Sequence, residues 1–258
     1  MPVFIDALLR KVDIHVLPQR IISLVPSITE LLFDLGLDQR IAGITKYCIH
    51  PENRIQSKII IGGTENLETG LIDEINPDLI IAGREENNRE EISRLMDKYP
   101  VYVCDVKGYD DALHMIIEIG EITGCTKQSA RIVNDIADAF ASLPPVLKHR
   151  KAIYLIWKKP WMTVNKDTFI NQMLFRAGFD NAFRNKTTRY PVISDEDIIG
   201  ASPEIIFLSS EPYPFKEKDI MEFKLYAPDA KVRIVDGEMS SWYGSHMIKA
   251  PAYFRQLY

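Results

Sequence analysis

The sequence predicts an α/β protein of two lobes, each built on a parallel sheet, with a long helical segment between them. Three observations carry this expectation. Short β-branched runs such as residues 79–82 are apolar without alternation, the pattern of strands buried on both faces of a parallel sheet. Residues 110–143 hold apolar side chains at helical spacing and no strand-like run, which separates two sheet-forming halves. The halves also repeat one another. Residues 21–25 lead to a helix ending Gly36-Leu37-Asp38-Gln39, and residues 153–157 lead to one ending Gly178-Phe179-Asp180-Asn181. Asn76-Pro77-Asp78-Leu79-Ile80 is answered by Ser202-Pro203-Glu204-Ile205-Ile206. The expected boundaries are a first lobe over 1–123, a bridging helix over 124–149 and a second lobe over 150–258.

The elements follow in chain order. Ile21-Ile22-Ser23-Leu24-Val25 reads as a strand stopped by Pro26. Ser27-Ile28-Thr29-Glu30 has the spacing of a capping box before the stripe Leu31, Leu32, Leu35, and Gly36 closes that helix. Residues 41–44 and 58–61 read as further strands, 71–75 as a short helix, 85–99 as a longer one and 101–106 as a strand. Residues 110–123 form a helix through Ala112, Ile116, Ile117 and Ile119, and Gly124 interrupts it. Residues 127–143 then carry a broad stripe of Ala130, Ile132, Val133, Ile136, Ala137, Phe140 and Ala141, ended by Pro144-Pro145. No Gly/Ser-rich linker lies between the halves, which predicts a stiff connection with little lobe motion.

Composition excludes several classes. Of 258 residues, 46% are hydrophobic and 26% charged, which leaves no room for a disordered or fibrous chain. The formal net charge of −5 carries no nucleic-acid or anionic-membrane footprint. No run approaches the ~20 apolar residues of a membrane helix. Residues 7–9 are too short an apolar core for a signal peptide, and Asp6, Arg10, Lys11 and Asp13 interrupt them. The expectation this gives is an unexported, cytoplasmic chain unless a leader has been removed, so location stays open. Three cysteines, an odd and sparse number, fit a reducing compartment.

In open parallel sheets ligands sit beyond the carboxyl ends of the strands, so the loops there are the candidate site, in a cleft between the lobes. They are rich in aromatics: Tyr47, Trp161, Tyr190, Trp242 and Tyr243. Each alone is an ordinary cap over a core. Together they suit a flat or bulky organic ligand. Arg84 and Arg189 lie nearby in sequence and could meet its peripheral carboxylates or amides. Gly62-Gly63-Thr64 fits either an anion nest or a tight turn. Cys48 and His50, two residues apart, with His246 from another loop, form a candidate transition-metal set; the alternative is a buried thiol and a loop imidazole. A Cys48–His50 nucleophile pair lacks an identifiable orienting acid. No dinucleotide, phosphate-loop, zinc-protease or nucleophile-elbow motif is present.

The stretch from Arg20 to Leu31, together with Gly43-Ile44-Thr45-Lys46-Tyr47, His50-Pro51, Ile61-Gly62-Gly63-Thr64 and Asn76-Pro77-Asp78-Leu79-Ile80-Ile81-Ala82, resembles the cobalamin- and siderophore-type substrate-binding proteins. Residues 169–179, Tyr190-Pro191 and Ser202-Pro203-Glu204 extend the resemblance to the second half. These are the helical-backbone, or class III, periplasmic binding proteins of ABC importers. The resemblance implies two Rossmann-like lobes joined by a single long backbone helix, and ligand capture and delivery rather than catalysis. The implied ligand is a cobalamin-like corrinoid or another metal chelate (haem or a ferric siderophore), with no cofactor required. The implied partner is an ABC transporter permease. Tyr47, Trp161, Met162, Tyr190, Trp242 and Tyr243 fall on aromatic-clamp positions of the family. Ser241 and Ser245 replace its ligand-bonding acid and arginine, which implies a remodelled pocket. Glu196 matches the transporter-docking glutamate of the second lobe, with Glu68 near the first-lobe position. Three other readings remain on the same scaffold: a cytosolic chelate-handling protein or enzyme, a direct transition-metal binder, and a partner protein without ligand.

Overall fold

The computed structural model describes residues 3–257. The chain divides into two compact units. Unit 1 takes the chain up to Val106, then Asp110–Ala137 and Tyr243–His246; unit 2 takes Lys107–Tyr109, Asp138–Trp242 and the chain from Met247 onward.

Unit 1 is built on a five-stranded sheet, entirely parallel, in the spatial order Ile59–Ile60, Ile41–Ile44, Ile21–Ser23, Leu79–Gly83, Val101–Cys104. Its central strands are buried throughout, with Ile21, Ile22, Leu79, Ile80 and Ile81 fully enclosed. Each such side chain contributes about 1.5–3 kcal/mol relative to exposure. The unbroken apolar runs in the sequence follow from this burial on both faces. Counted along the chain, the strands lie 3-2-1-4-5. The order therefore reverses between Ile21–Ser23 and Leu79–Gly83, and the loops leaving those two strands diverge to leave a crevice.

Unit 2 repeats the arrangement with four parallel strands, ordered Phe179–Asn181, Arg150–Leu155, Ile205–Ser209, Lys231–Val235. Its reversal point falls between Arg150–Leu155 and Ile205–Ser209. Two small antiparallel ribbons, Phe4–Ile5 with Lys11–Val12 and Trp161–Met162 with Val192–Ile193, are additions the sequence did not announce. Both have two-residue strands, too short for alternation to register.

Several local expectations are corrected. The helix expected after Ser27 begins one residue earlier, at Pro26, and runs Pro26–Asp34. Proline suits the first helical position because its missing N–H would have no partner there. The N-cap is Val25, with no side-chain cap, so Ser27 and Glu30 are inside the helix and form no capping box. The helix expected over 85–99 is confined to Arg89–Met96 because Asn88 caps it, accepting from the backbone N–H groups of Glu90 and Glu91. That leaves residues 84–87 as a loop beyond the Leu79–Gly83 strand. The helix Thr126–Ala141 buries Ser129, Ile132, Ile136 and Phe140, while Ala130, Ala137 and Ala141 face solvent. Its apolar stripe is narrower than the count of alanines predicted. The division between units falls inside this helix, after Ala137.

Candidate functional site

In unit 1 the side chain of Asn87 joins the loops at the reversal point. Asn87 accepts from the Gly83 N–H at 2.8 Å and donates to the carbonyls of Leu24 (3.3 Å) and Thr64 (3.1 Å). It thereby ties together loops that leave both strands at the reversal point. Glu86 stands beside it, half-buried, and its Oε1 accepts the Tyr243 hydroxyl at 2.8 Å. Burial pushes the Glu86 carboxyl above the ordinary carboxylate value, against the lowering effect of the Tyr243 bond, and the charges of Glu85 and Asp105 push it the same way as burial. Tyr243 is itself buried, and loss of hydration raises its phenol. Arg84 is exposed and paired with Asp105 at 3.0 Å.

Unit 1 also holds a polar knot. Glu30, on the helix Pro26–Asp34, accepts from His246 Nδ1 at 2.7 Å, and both residues are buried. Cys48 is 2% exposed and its Sγ lies 3.1 Å from Thr29 Oγ1 and 3.3 Å from Thr45 Oγ1. Burial raises its thiol, so the thiolate a metal needs is disfavoured. His50 lies with its ring centroid 5.9 Å from that of His246. Among the described residues no three His, Cys, Asp or Glu side chains form a metal-holding group. The structure thus places His50 near His246 but turns Cys48 toward two threonines. Tyr47 is 51% exposed, with the Lys46 ammonium 5.1 Å from its ring centroid. Glu68 is exposed at the N-cap of the helix Thr69–Ile75.

Unit 2 builds its crevice with related parts. Glu211, two residues beyond the Ile205–Ser209 strand, is half-buried. Its Oε1 accepts from Ser241 Oγ at 2.6 Å and from the Trp242 indole N–H at 3.2 Å. Burial pushes this carboxyl up as well, with Glu238 and Asp236 adding to it and the Ser241 and Trp242 bonds opposing. Trp242 is buried. Trp161 is also buried; its indole donates to Asp195 at 2.9 Å, and its ring meets Phe223 at 4.8 Å and Phe215 at 6.4 Å. It is part of the unit 2 core rather than a loop cap. Met162 and Arg189 are half-buried, and Tyr190 is exposed. Trp157, not singled out in the sequence, is exposed and packs edge-on against Tyr213. Glu196 is exposed in the first turn of the helix Asp195–Ala201, whose capping box is made by Ser194 and Asp197. Ser245 is buried in unit 1.

The residues that sequence reasoning missed are Glu30, Glu86 and Glu211. A signal for two of them was present. Glu86 follows Pro77 by nine residues and Glu211 follows Pro203 by eight, and those prolines head the repeated motif. Glu30 was assigned to a cap that does not form, and its partner is 216 residues away.

Among the described residues, no helix is long and apolar enough to cross a membrane. The family model for periplasmic binding proteins matches residues 21–228. The vitamin B12-binding protein of Pectobacterium atrosepticum is 24% identical over 204 residues, 75% of this chain and 72% of that one. An uncharacterized ABC transporter substrate-binding lipoprotein of Bacillus subtilis is 28% identical over 212 residues, covering 78% and 67%. A crystal structure of a possible iron-binding (periplasmic solute-binding) protein from Staphylococcus epidermidis superposes with a TM-score of 0.78 at 25% identity, over 93% of this chain and 98% of that one.

Proposed function

The chain belongs to the periplasmic binding protein family, and from that premise we propose that it captures a metal chelate, of the corrinoid, haem or ferric-siderophore class, for an ABC importer. The observation that carries the reading is the form of the two sheets. Both are parallel, both have a reversal point, and the loops at their carboxyl ends expose Tyr47 in unit 1 and Trp157 and Tyr190 in unit 2. Exposed rings present large contact area at small entropy cost and suit a broad, partly apolar ligand. The relatives' own descriptions, vitamin B12 binding and ABC transporter substrate binding, support the ligand class and the importer.

Binding without chemistry fits the same loops. Glu86 and Glu211 are engaged with Tyr243, Ser241 and Trp242, and the Cys48 thiol with Thr29 and Thr45. None of these contacts makes a nucleophile–base pair of the kind acyl or phosphoryl transfer requires. Glu196 and Glu68, exposed on their helices, are the side chains we assign to an importer's basic residues. Titration of the purified protein with cyanocobalamin, dicyanocobinamide and hemin, followed by tryptophan quenching, tests the reading. Saturable binding of at least one of them at micromolar concentration is the expected result. Absence of binding below about millimolar, which corresponds to about −4 kcal/mol, would overturn it.

A further inference from the structure

Unit 1 contains a cavity of about 480 Å³ whose lining comes entirely from residues 8–103. Tyr47 is not part of that lining. One wall is a single face of the helix Arg89–Met96, with Arg89, Ile92, Ser93 and Met96 at i, i+3, i+4 and i+7. Leu8 and Val103, the latter from the edge strand Val101–Cys104, supply further apolar wall. Gly83, Arg84 and Asn87 bring the cavity to the carboxyl end of the Leu79–Gly83 strand. The turn that presents Leu8 is fixed. Asp6 accepts from the backbone N–H groups of Leu8 and Arg10 and from the Arg10 guanidinium, and the Ala7 N–H bonds the Val103 carbonyl at 2.9 Å. Leu8 is thereby held at the cavity with 41% of its surface exposed.

The lining is polarised. Its charged side chains are two arginines, and among the described residues no carboxylate lines it. Arg84 is paired with Asp105 at 3.0 Å, from outside the lining. Arg89 has no hydrogen-bond or ion-pair partner among the described residues. One positive charge is therefore left without a counter-charge. The first-turn N–H groups of Glu90 and Glu91 are already taken by Asn88, so the attraction for an anion comes from the guanidiniums and not from the helix end. From Arg89 the wall runs through Ile92 to Met96, about 10 Å along the helix axis, and turns from charged to apolar on the way. We infer that this cavity binds a small monoanionic amphiphile, an acyl or aryl carboxylate, with its head on Arg89 and its apolar body against Ile92, Met96, Val103 and Leu8. A carboxylate matches the guanidinium fork in shape as well as charge. The volume falls within the range of about 300–1,000 Å³ that small-molecule sites occupy. A cation brought to the same place meets like charge at Arg89, and a short anion without an apolar body leaves most of the wall wet. This site goes beyond the carrier reading and does not depend on it.

The test is isothermal titration calorimetry of the intact chain with decanoate, with acetate and decyltrimethylammonium as comparisons. Decanoate is expected to bind saturably, one per chain, at micromolar concentration, and the other two at least tenfold more weakly. Arg89→Ala, at an exposed position that leaves the fold intact, should weaken decanoate at least fivefold. Ser93→Trp, which fills the cavity from an exposed position, should weaken it at least tenfold. Tyr47→Ala should leave decanoate affinity within about twofold of wild type, because Tyr47 does not line the cavity. The inference is overturned if decanoate shows no saturable binding below about millimolar, or if acetate or the ammonium binds as tightly. It is equally overturned if Arg89→Ala and Ser93→Trp leave the affinity unmoved. Loss of decanoate binding in Tyr47→Ala places the anion elsewhere and overturns it too. Should Ser93→Trp fail to fold, Arg89→Glu, which reverses the head-group charge on the surface, must weaken decanoate at least tenfold; an affinity it leaves intact refutes the site.

Discussion

Replacing Trp161 by alanine separates a core side chain from a ligand contact. The aromatic wealth of the loops marks Trp161 as a clamp residue, yet only 8% of it is exposed. It sits in the unit 2 core with Ile153, Ile193, Ile198, Leu208, Phe215 and Phe223. Truncating a buried Trp to Ala removes transfer free energy and leaves a cavity, together about 3–5 kcal/mol. The indole bond to Asp195 at 2.9 Å contributes within that total, and hydrogen bonds to charged groups are worth about 1.5–3 kcal/mol. The Lys158 ammonium 5.5 Å from the ring centroid adds roughly 0.5–1 kcal/mol at a site of this exposure. Trp161→Ala is therefore expected to lower the unfolding free energy of unit 2 by about 3–5 kcal/mol. Trp161→Phe, which keeps most of the packing and drops the indole donor, should cost well under half of that. Urea unfolding followed by circular dichroism and by the fluorescence of Trp157 and Trp242 reads both. A loss below about 1 kcal/mol, with a tenfold or greater fall in chelate affinity, would refute the core assignment and return Trp161 to the binding surface.

Other side chains give sharper single readouts. Tyr47→Ala, at a half-exposed ring, should leave unfolding within about 0.5 kcal/mol of wild type while weakening chelate binding several-fold in equilibrium titration. Ser194→Ala removes the oxygen that caps the Asp197 N–H and should cost about 1 kcal/mol in chemical denaturation. Glu196→Lys, two residues on in the first turn of the same helix, should change stability by less than about 1 kcal/mol and abolish importer-dependent uptake with ligand affinity unaltered. Because burial holds the Glu86 carboxyl above its unfolded value, the folded state binds the proton more tightly, and this group's contribution to stability declines as pH rises from the unfolded value through the folded one. Glu86→Gln lacks that loss. Its stability relative to wild type should therefore increase with pH across that window in thermal melts; a constant difference would contradict the assignment.

Much of the fold was legible because two-sided burial writes itself into sequence. Ile21-Ile22, Leu79-Ile80-Ile81 and Ile205-Ile206 are apolar without alternation, and bounded by turn residues they read as covered parallel strands. The repeat of the Pro77 and Pro203 motifs points to two related units, and the chain divides into two. Element ends were less legible. Two helices start where the sequence analysis did not expect them, at Pro26 and at Arg89, and each start bears on a carboxyl. Starting the helix at Pro26 put Glu30 inside it, facing His246. Starting the next one at Arg89 put Glu86 in a loop, facing Tyr243.

The site was legible by residue type and not by orientation. Aromatic loops predicted a face of rings, but Trp161, Trp242 and Tyr243 are buried, whereas Tyr47, Trp157 and Tyr190 are exposed. Sequence does not distinguish these cases, because an indole over a core and an indole over a ligand have the same neighbours along the chain. What decides is the partner of the polar edge: Asp195 for Trp161, Glu211 for Trp242, Glu86 for Tyr243. A buried ring whose polar atom must be satisfied fixes the carboxyl that satisfies it. Where the family resemblance sets Ser241 in place of an acid, the structure brings a carboxyl to it. Ser241 bonds Glu211, so a carboxyl stands beside the segment, supplied from the strand end of unit 2 instead of from the segment itself.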